Sequence, residues 1–268
     1  MLRVRSVSDD ELMAICPFHN DTKPSLGINI GEKGIYHCFS CGATGRTTEL
    51  VEKFGGFLLE DSDDIACSSS MTISSEEDNV GFEYLRKRGF QDSTIQEFSI
   101  CYDSESSRVV IPVISRNGVV SGTIGRTVVG DEPKYKYSAG FKASQHLFGM
   151  NKYQPAKYLY LVEGSLDSIW MWQNGYKSTL SILGSNLSDT QAAGVKYLSN
   201  RVVLCFDTDK AGQDCIRESA EKLMGLGVVT WAIRLPEGKK DVQDCSLGEL
   251  LSVVEGRIPT MLYNFKHE

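Results

Sequence analysis

The chain has 268 residues, of which 41% are hydrophobic, and this length suits one or two domains with a substantial core. It contains no apolar run long enough for a membrane helix and no signal-peptide core, so we expect a cytoplasmic protein without membrane partners. The formal net charge of −7 argues against non-specific binding of nucleic acid, although it leaves room for a local basic track.

Four candidate zinc ligands stand near the N-terminus in the pattern C-x₂-H…C-x₂-C: Cys16, His19, Cys38 and Cys41. Cysteines in a cytoplasmic chain are expected to be metal ligands or buried thiols before disulfides. Two close pairs of soft or borderline ligands suit a closed, tetrahedral, structural Zn²⁺ site. The sequence between the pairs predicts two strands, 25–30 and 35–37, joined by a turn at 31–34. We therefore predict a zinc ribbon within residues 1–58.

Three further features belong to this first part of the chain. His37 is a rival ligand, but neighbouring strand residues face opposite ways, so we expect it to point away from Cys38. Residues 47–54 predict a short helix that begins at a threonine cap. Residues 59–79 are rich in acid and serine and lack helical periodicity, which indicates a flexible linker.

The middle of the chain, residues 80–157, predicts a helix followed by an antiparallel hairpin. The β-branched runs at 108–115 and 119–128 flank Arg116-Asn117-Gly118, and Asn-Gly between such runs is a strong hairpin signal. Lysines then concentrate among aromatic residues, at Lys134, Lys136, Lys142 and Lys152. That composition is typical of a groove that binds nucleic acid.

Carboxylates follow two apolar strand-like runs in the last part of the chain, residues 158–268. Glu163 follows the run 158–162, and Asp207 and Asp209 follow the run 201–206. Helical patterns after each run predict a parallel sheet, whose sites lie beyond the carboxyl ends of its strands. Because residues two apart on a strand face the same way, Asp207 and Asp209 are expected to share one cation. The sequence therefore predicts a Mg²⁺ (or Mn²⁺) site that handles phosphates.

Smaller signals surround these carboxylates. Gly164 is expected to let the backbone turn sharply after Glu163. Asp167 is expected to bond backbone amides or cap a helix rather than hold metal. Ser188 and Gln191 have the spacing of a capping box.

Several motifs resemble those of DnaG-type bacterial and phage primases. E-G-x-x-D at Glu163 and D-x-D-x-A-G at Asp207 look like the TOPRIM domain of primases, topoisomerases and some nucleases. The linking segment L-G-S-N-L-S-x-x-Q is close to that of the primases, and C-P-F-H and Y-H-C-F-x-C-G match their CHC2 zinc-binding domain. The resemblance implies an α+β and α/β multidomain fold, in which a zinc ribbon precedes a primase core with a TOPRIM-type parallel sheet flanked by helices.

The resemblance also implies a function. It implies DNA-templated synthesis of short RNA primers from NTPs, with Glu163, Asp207 and Asp209 as the catalytic metal ligands. The zinc domain would contact the single-stranded template. A separate replicative helicase would be a partner, since the sequence carries neither a P-loop pattern nor room for a helicase-binding domain. If the protein is phage-encoded, as short stand-alone forms suggest, it would act in the bacterial cytoplasm.

Further site residues follow from the same resemblance. The motifs G-x-x-x-G-R, P-K-Y and a lone lysine before L-F-G-M make Arg126, Lys134 and Lys142 the residues that face template, primer or triphosphate. The segment between P-K-Y and L-F-G is shorter than the family's. By the same resemblance Asp241 would be the outlying metal ligand, with Asp244 as the alternative, because the commoner K-D-P-D pattern is altered here.

Three other functions use parts of the same pattern. A TOPRIM nuclease would employ the same metal site with water as the attacking group. A non-catalytic, zinc-dependent protein that binds single-stranded DNA would need only the ribbon. A type IA topoisomerase would need a nucleophilic tyrosine on further domains, for which this sequence offers no length.

Overall fold

The structure is a computed structural model that describes residues 2–8, 11–31, 33–54, 57–59 and 80–263. The predicted linker lies outside these residues apart from Leu59, and so does Glu32 of the predicted turn. The chain divides into two compact units, Met1–Tyr84 with Gln96–Phe141 and Leu85–Ile95 with Lys142–Glu268. Within the described ranges, no helix combines the length and the apolar character that crossing a bilayer requires.

A six-stranded sheet with one short helix forms the N-terminal part of the first unit. In spatial order its strands run β5-β4-β3-β2-β1-β6, and every neighbouring pair is antiparallel except β1 with β6. The elements are β1 (Leu2–Ser8), β2 (Glu11–Ala14), β3 (Leu26–Asn29), β4 (Ile35–Cys38), β5 (Thr44–Arg46), α1 (Thr47–Phe54) and β6 (Phe57–Leu59). Alternate residues of β2, β3 and β4 are buried and, with Leu50 and Phe57, form one small core.

The predicted hairpin and the predicted helix in this region are confirmed as β3–β4 and α1. The strands β1, β2, β5 and β6, which complete the sheet, were not predicted from the sequence. Short strands such as β2 carry only two buried residues, so their period-two pattern is too brief to stand out.

A four-stranded antiparallel sheet forms the rest of the first unit, in the order β10-β9-β8-β7. The predicted hairpin is confirmed, and Gly118 in its turn has a φ of 81°, in the left-handed region that favours glycine. The strands are β7 (Cys101–Asp103), β8 (Arg108–Ile114), β9 (Val120–Thr127) and β10 (Tyr135–Tyr137). Two helices precede it in the chain, α2 (Val80–Lys87) and α3 (Asp92–Glu97), and the boundary between the units runs through both.

The second unit contains a five-stranded sheet in the order β12-β11-β13-β14-β15. The first four strands are parallel, and only β15 pairs antiparallel. The strands are β11 (Leu159–Val162), β12 (Thr179–Ser181), β13 (Arg201–Leu204), β14 (Val229–Ala232) and β15 (Ile258–Pro259). The helices are α4 (Ser165–Gln173), α5 (Asp189–Leu198), α6 (Lys210–Gly225) and α7 (Leu247–Glu255), with short 3₁₀ turns at 143–145, 150–152, 242–244 and 260–262.

Both faces of this sheet are covered by helices. Leu159 and Leu161 of β11 pack in one core with residues of α5 and α6. Val162 packs in a second core with residues of α4 and α7, because neighbouring strand residues point to opposite faces. The predicted fold class is confirmed: an N-terminal zinc-ribbon-like sheet is followed by a core with a parallel-containing sheet flanked by helices. The parallel strands therefore end together at one edge of the sheet.

Candidate metal centres and active site

The structure brings the four predicted zinc ligands together. The candidate ligand atoms of Cys16, His19, Cys38 and Cys41 all lie within 4.8 Å of one another. The Sγ atoms of Cys16 and Cys41 are 3.8 Å apart, which is about the sulfur–sulfur separation of a tetrahedron with Zn–S bonds of about 2.3 Å. The Nδ1 atom of His19 is buried without a hydrogen-bond partner, so its lone pair is available to a metal. The donor set fits a structural Zn²⁺ ion.

His37 stays outside this group, as the sequence predicted. It is exposed, and its ring packs edge-on against Phe39 at 5.3 Å. None of the seven cysteines within the described ranges forms a disulfide.

An outer layer of hydrogen bonds holds the zinc ligands in place. Asp21 Oδ2 accepts hydrogen bonds from Cys16 N at 3.0 Å and from Ser25 Oγ at 2.5 Å, and lies 3.8 Å from His19 Nε2. Ser25 Oγ is also 3.3 Å from Cys38 Sγ. Asp21 therefore supports the ligands from behind, in the way that outer-shell carboxylates orient metal-bound histidines. This role was not predicted, because nothing in the C-x₂-H spacing points to Asp21.

The same layer prepares Cys38 for a metal. Burial by itself would raise the pKa of Cys38, but hydrogen bonds from the backbone N–H groups of Cys41 and Ser40 lower it to about 6. A thiolate is the form that binds metal, so this position is suited to the ion at neutral pH.

The two aromatic residues that flank the ligands have different environments. Tyr36 is buried and stacks on Phe18 at 5.6 Å, so it belongs to the small core. Phe39 is 72% exposed. Of the two, only Phe39 is exposed enough to contact a ligand.

The carboxylates of the second unit gather at the carboxyl edge of the parallel sheet. Glu163 directly follows β11, and its Oε1 accepts a hydrogen bond from Asp207 N at 3.0 Å. Strand β13 ends at Leu204, so Asp207 and Asp209 lie in the loop after it and not on a strand. The expectation that strand alternation aligns these two residues was therefore wrong. Asp209 instead caps α6, where its Oδ1 accepts a hydrogen bond from Gly212 N at 2.9 Å.

A glycine makes this loop possible. A Cβ on Gly212 would overlap the carbonyl oxygen of Asp207 and lie 2.8 Å from its carbonyl carbon. The first turn of α6 can therefore pack on the Asp207 peptide only because residue 212 has no side chain.

Gly164 serves a similar purpose, and not the one predicted. Its φ of −93° is ordinary for any residue, so no special turn is required there. A Cβ on Gly164 would instead lie 2.5 Å from Asp167 Oδ2. That oxygen accepts a hydrogen bond from Gly164 N at 3.1 Å, which confirms the prediction that Asp167 bonds a backbone amide.

The third acidic segment lies beside the loop of Asp207. Thr208 N donates to Lys240 O at 3.0 Å, and Thr208 Oγ1 donates to Lys239 O at 3.1 Å. Asp241 caps the 3₁₀ turn that follows, while Asp244 Oδ2 accepts from Lys240 N at 2.8 Å. Asp241 is the aspartate whose charge acts on Asp167, so electrostatics favours it over Asp244 as a member of the acidic cluster.

Two carboxyl groups of this cluster hold their protons unusually tightly. Burial raises the pKa of Glu163 to about 7, and the charges of Asp207 and Asp209 add to the effect. Burial raises the pKa of Asp167 to about 7 as well, reinforced by Asp241. Clustered acid of this kind is costly without a nearby cation.

The three predicted phosphate-binding residues lie in both units. Arg126 on β9 and Lys134 belong to the first unit, and Lys142 belongs to the second, as do the carboxylates. The Arg126 guanidinium lies 4.8 Å above the Tyr135 ring, and its Nε donates to Tyr84 Oη at 3.1 Å. Lys134 and Lys142 are exposed.

Family comparisons match both candidate sites. The family model described as CHC2 zinc finger matches residues 3–80, and the model described as Toprim-like matches residues 160–246. The first spans all four zinc ligands, and the second spans Glu163 to Asp244. The chain therefore contains a CHC2 zinc finger and a Toprim-like domain, as the resemblance to DnaG-type primases implies.

The chain is similar to curated DNA primases. The DNA primase of Halalkalibacterium halodurans is 24% identical over 305 residues, which are 84% of this chain and 51% of that protein. The chain spans about half the length of the curated relatives it matches.

Two solved primase structures share the fold. The zinc-binding and RNA polymerase domains of the Aquifex aeolicus primase superpose with a TM-score of 0.60 and 23% identity, over 95% of this chain and 80% of that one. The primase fragment of the bacteriophage T7 primase-helicase protein gives a TM-score of 0.56 and 20% identity, over 92% of this chain and 98% of that one.

The turn that carries Lys142 is anchored by a residue that the sequence did not single out for this purpose. The predicted capping box is confirmed, since Ser188 Oγ accepts from Gln191 N and Gln191 Oε1 accepts from Ser188 N. The buried Gln191 Nε2 also donates to the carbonyls of His146 and Ile182, each at 2.7 Å. Gln191 thus fixes the 3₁₀ turn after Lys142 to α5. The S-x-x-Q spacing revealed the cap but not these distant partners.

The raised pKa of Glu163 leads to a stability prediction for Glu163→Gln. An unfolded glutamate titrates near pH 4.3, so between about pH 4.3 and 7 the folded state keeps a proton that the unfolded state has released. Raising the pH through this window therefore destabilises the wild type more than the variant, which keeps only Asp167 with a comparably raised pKa. We expect the melting temperature of Glu163→Gln to exceed that of the wild type at pH 8, with the difference shrinking towards pH 5.

Thermal unfolding in buffer without added magnesium measures this difference. Each 1 kcal/mol that the substitution adds to the free energy of unfolding would raise the melting temperature by about 2–4 °C for a chain of this size. Glu218→Gln, at an exposed position on α6, is the matched control and should show no such trend. A variant less stable than the wild type at pH 8 would contradict the repulsion described here.

Proposed function

We propose that the protein is a DNA primase that synthesises short RNA primers on single-stranded DNA from NTPs by metal-dependent nucleotidyl transfer. The observation that carries this proposal is the contact between Glu163 and Asp207 at the carboxyl edge of a Toprim-like sheet, in a chain that also has a CHC2 zinc site. Phosphoryl transfer needs positioning and charge neutralisation more than a covalent nucleophile, and clustered carboxylates supply the sites for neutralising cations.

The metal ligands of this primase would be Glu163, Asp207, Asp209 and Asp241. Among the described residues, the zinc ligands are the only group of three or more histidine, cysteine or carboxylate side chains that lie close enough together to hold one metal ion. The four carboxylates therefore form a more open cluster. An open cluster suits Mg²⁺ or Mn²⁺, because such ions keep waters and bind substrate phosphates besides one or two carboxylates. When bound, the ion would polarise the triphosphate and lower the pKa of the attacking 3′-hydroxyl.

The protein's own residues would position the substrates. The Asp209 cap and the close approach of Gly212 hold the loop that presents Asp207. The Arg126 guanidinium, oriented by two tyrosines, offers planar donors to phosphates of the template, primer or triphosphate, while Lys134 and Lys142 offer exposed ammonium groups. The exposed Phe39 ring of the zinc ribbon can stack on a template base.

The wider setting of this primase is part of the proposal. Its partners would be single-stranded DNA, NTPs, the RNA primer and a separate replicative helicase, in the cytoplasm. The relative from bacteriophage T7 is a primase-helicase protein, which supports a helicase as the partner. The proposed organisation is a template-binding ribbon at 1–58, a linker at 59–79, the first part of the polymerase core at 80–157 and the catalytic TOPRIM domain at 158–268.

Primer synthesis on single-stranded DNA tests this function directly. The assay contains the full chain, labelled NTPs and Mg²⁺, with Mn²⁺ in a parallel series, and template libraries cover different initiation sequences. Short RNA products that require both template and metal would support the primase. Metal-dependent shortening of the DNA without RNA products would favour the nuclease, and zinc-dependent DNA binding alone would favour the non-catalytic alternative.

A pair of substitutions distinguishes the two candidate outlying ligands. Asp241→Asn is expected to raise the Mg²⁺ concentration needed for half-maximal primer synthesis by about 10–100-fold, because Asp241 belongs to the acidic cluster. Asp244→Asn is the matched control, since Asp244 is exposed and bonds the backbone of Lys240. Titration of primer synthesis with Mg²⁺ measures both. A larger effect of Asp244→Asn would exchange the roles of the two aspartates.

A further inference from the structure

The side chain of Gln243 lies between a buried acid and an arginine of the second unit. Its Nε2 donates to Asp167 Oδ1 at 2.5 Å, and its Oε1 accepts from Arg88 Nη2 at 2.7 Å. These partners are 76 and 155 residues away in sequence. The amide thus links the positively charged Arg88 to Asp167. Burial and the charge of Asp241 disfavour the ionised form of Asp167 and raise its pKa.

Each end of this chain of hydrogen bonds reaches a residue of the acidic edge. Asp167 Oδ2 accepts from Gly164 N, the peptide that directly follows Glu163. The backbone N–H of Gln243 donates to Asp241 Oδ1 at 2.9 Å. The carboxylates at the end of β11 and in the loop after β14 are therefore joined through Asp167 and Gln243.

The directions of these bonds define which residue types can make them. A side chain at 243 must donate towards Asp167 and accept from Arg88, which a glutamine does and a carboxylate does not. Both oxygens of Asp167 already accept hydrogen bonds. The arrangement gives Asp167 a purpose other than holding metal.

We propose that Asp167, Gln243 and Arg88 are positioning residues that set the spacing of Glu163 and Asp241 for a divalent cation. This inference rests on the proposed function, because it takes those two carboxylates as metal ligands. The three residues act as one unit: the donor and acceptor roles within the Asp167–Gln243 pair can be exchanged, provided that one amide and one carboxylate remain.

A reciprocal exchange tests this inference. Asp167→Asn places an amide opposite the amide of Gln243, and Gln243→Glu places a carboxylate opposite that of Asp167. In the double variant, the amide at 167 can still accept from Gly164 N and donate to the carboxylate at 243, which pairs directly with Arg88. We expect each single variant to weaken Mn²⁺ binding by about 10–100-fold, as for other outer-shell changes, and the double variant to regain most of that affinity.

Two independent readouts on the full chain make the outcome decisive. Free Mn²⁺ is counted by electron paramagnetic resonance, and thermal unfolding is measured without added Mn²⁺. Gln91→Glu, which adds the same charge at an exposed glutamine of the same unit, is the control and should leave both unchanged. A merely structural pair would lower the melting temperature while leaving the Mn²⁺ affinity of the folded protein intact, and that result would overturn the inference.

The remaining outcomes also separate the two proposals. A double variant that binds Mn²⁺ no better than the worse single variant overturns the exchange, as does a wild type that binds no Mn²⁺ outside the zinc site. If the exchange restores Mn²⁺ binding but the wild type makes no primers, the positioning role stands and the primase proposal fails.

Discussion

Asp207→Asn is expected to reduce primer synthesis by about 10²–10³-fold, the range found when one group that stabilises charge in a transition state is removed. The substitution keeps the size of the side chain and the backbone N–H that donates to Glu163. It removes one negative charge from the point where the loops of Glu163 and Asp241 meet. The loss should therefore reflect metal and phosphate binding and not misfolding.

The rate of primer synthesis at saturating NTP and varied Mg²⁺ measures this effect. Asp214→Asn is the matched control, because Asp214 lies on the same helix that Asp209 caps but forms a surface pair with Arg217 at 2.6 Å. That variant should keep wild-type activity. If Asp207→Asn were as active as the control, the acidic edge would not be the site of catalysis.

Cys38→Ser is expected to remove zinc from the protein and to unfold the N-terminal sheet. Cys38 is fully buried at the end of β4, and the core that surrounds it is small. Structural zinc contributes about 10–16 kcal/mol of apparent binding free energy in isolated zinc fingers, far more than so small a core can replace. The second unit has its own two hydrophobic cores, so its fold should persist.

Zinc content by atomic emission and limited proteolysis measure this prediction. The variant should contain no zinc and should be cleaved within residues 2–59, while a fragment that includes residues 142–263 survives. Cys101→Ser, at a half-buried cysteine of β7 outside the ligand group, is the control and should retain one zinc. Full zinc content in Cys38→Ser would remove this cysteine from the ligand set.

The sequence predicted those parts of the sites that depend on short spacings. The zinc ligands form two close pairs, and the residues between them alternate as strand residues do. These two local patterns were enough to predict the zinc ribbon. Glu163 and Asp207 were predicted because both follow apolar runs, and parallel strands end at one edge. The residues that hold these side chains in position were not predicted. Asp21 has no distinctive spacing, and the contacts of Gln191 with His146 and of Gln243 with Arg88 span 45 and 155 residues of sequence.

Two predictions about local structure were wrong. Asp207 and Asp209 were placed on a strand, yet β13 ends before them and the loop is held by a helix cap. Gly164 was predicted to allow a sharp backbone turn, yet its lack of a side chain instead leaves space for the Asp167 carboxylate. A motif records which residue types occur together but not the contact that requires each one.

The close approach of Gly212 to Asp207 has a consequence for recognising degenerate copies of this site. Since any side chain at 212 must displace the Asp207 peptide, the glycine and the two aspartates of D-x-D-x-x-G form one steric unit. A related sequence that keeps both aspartates but has lost this glycine would carry its carboxylates on a rearranged loop. We expect such a sequence to be catalytically inactive, even though both aspartates of the motif are still present.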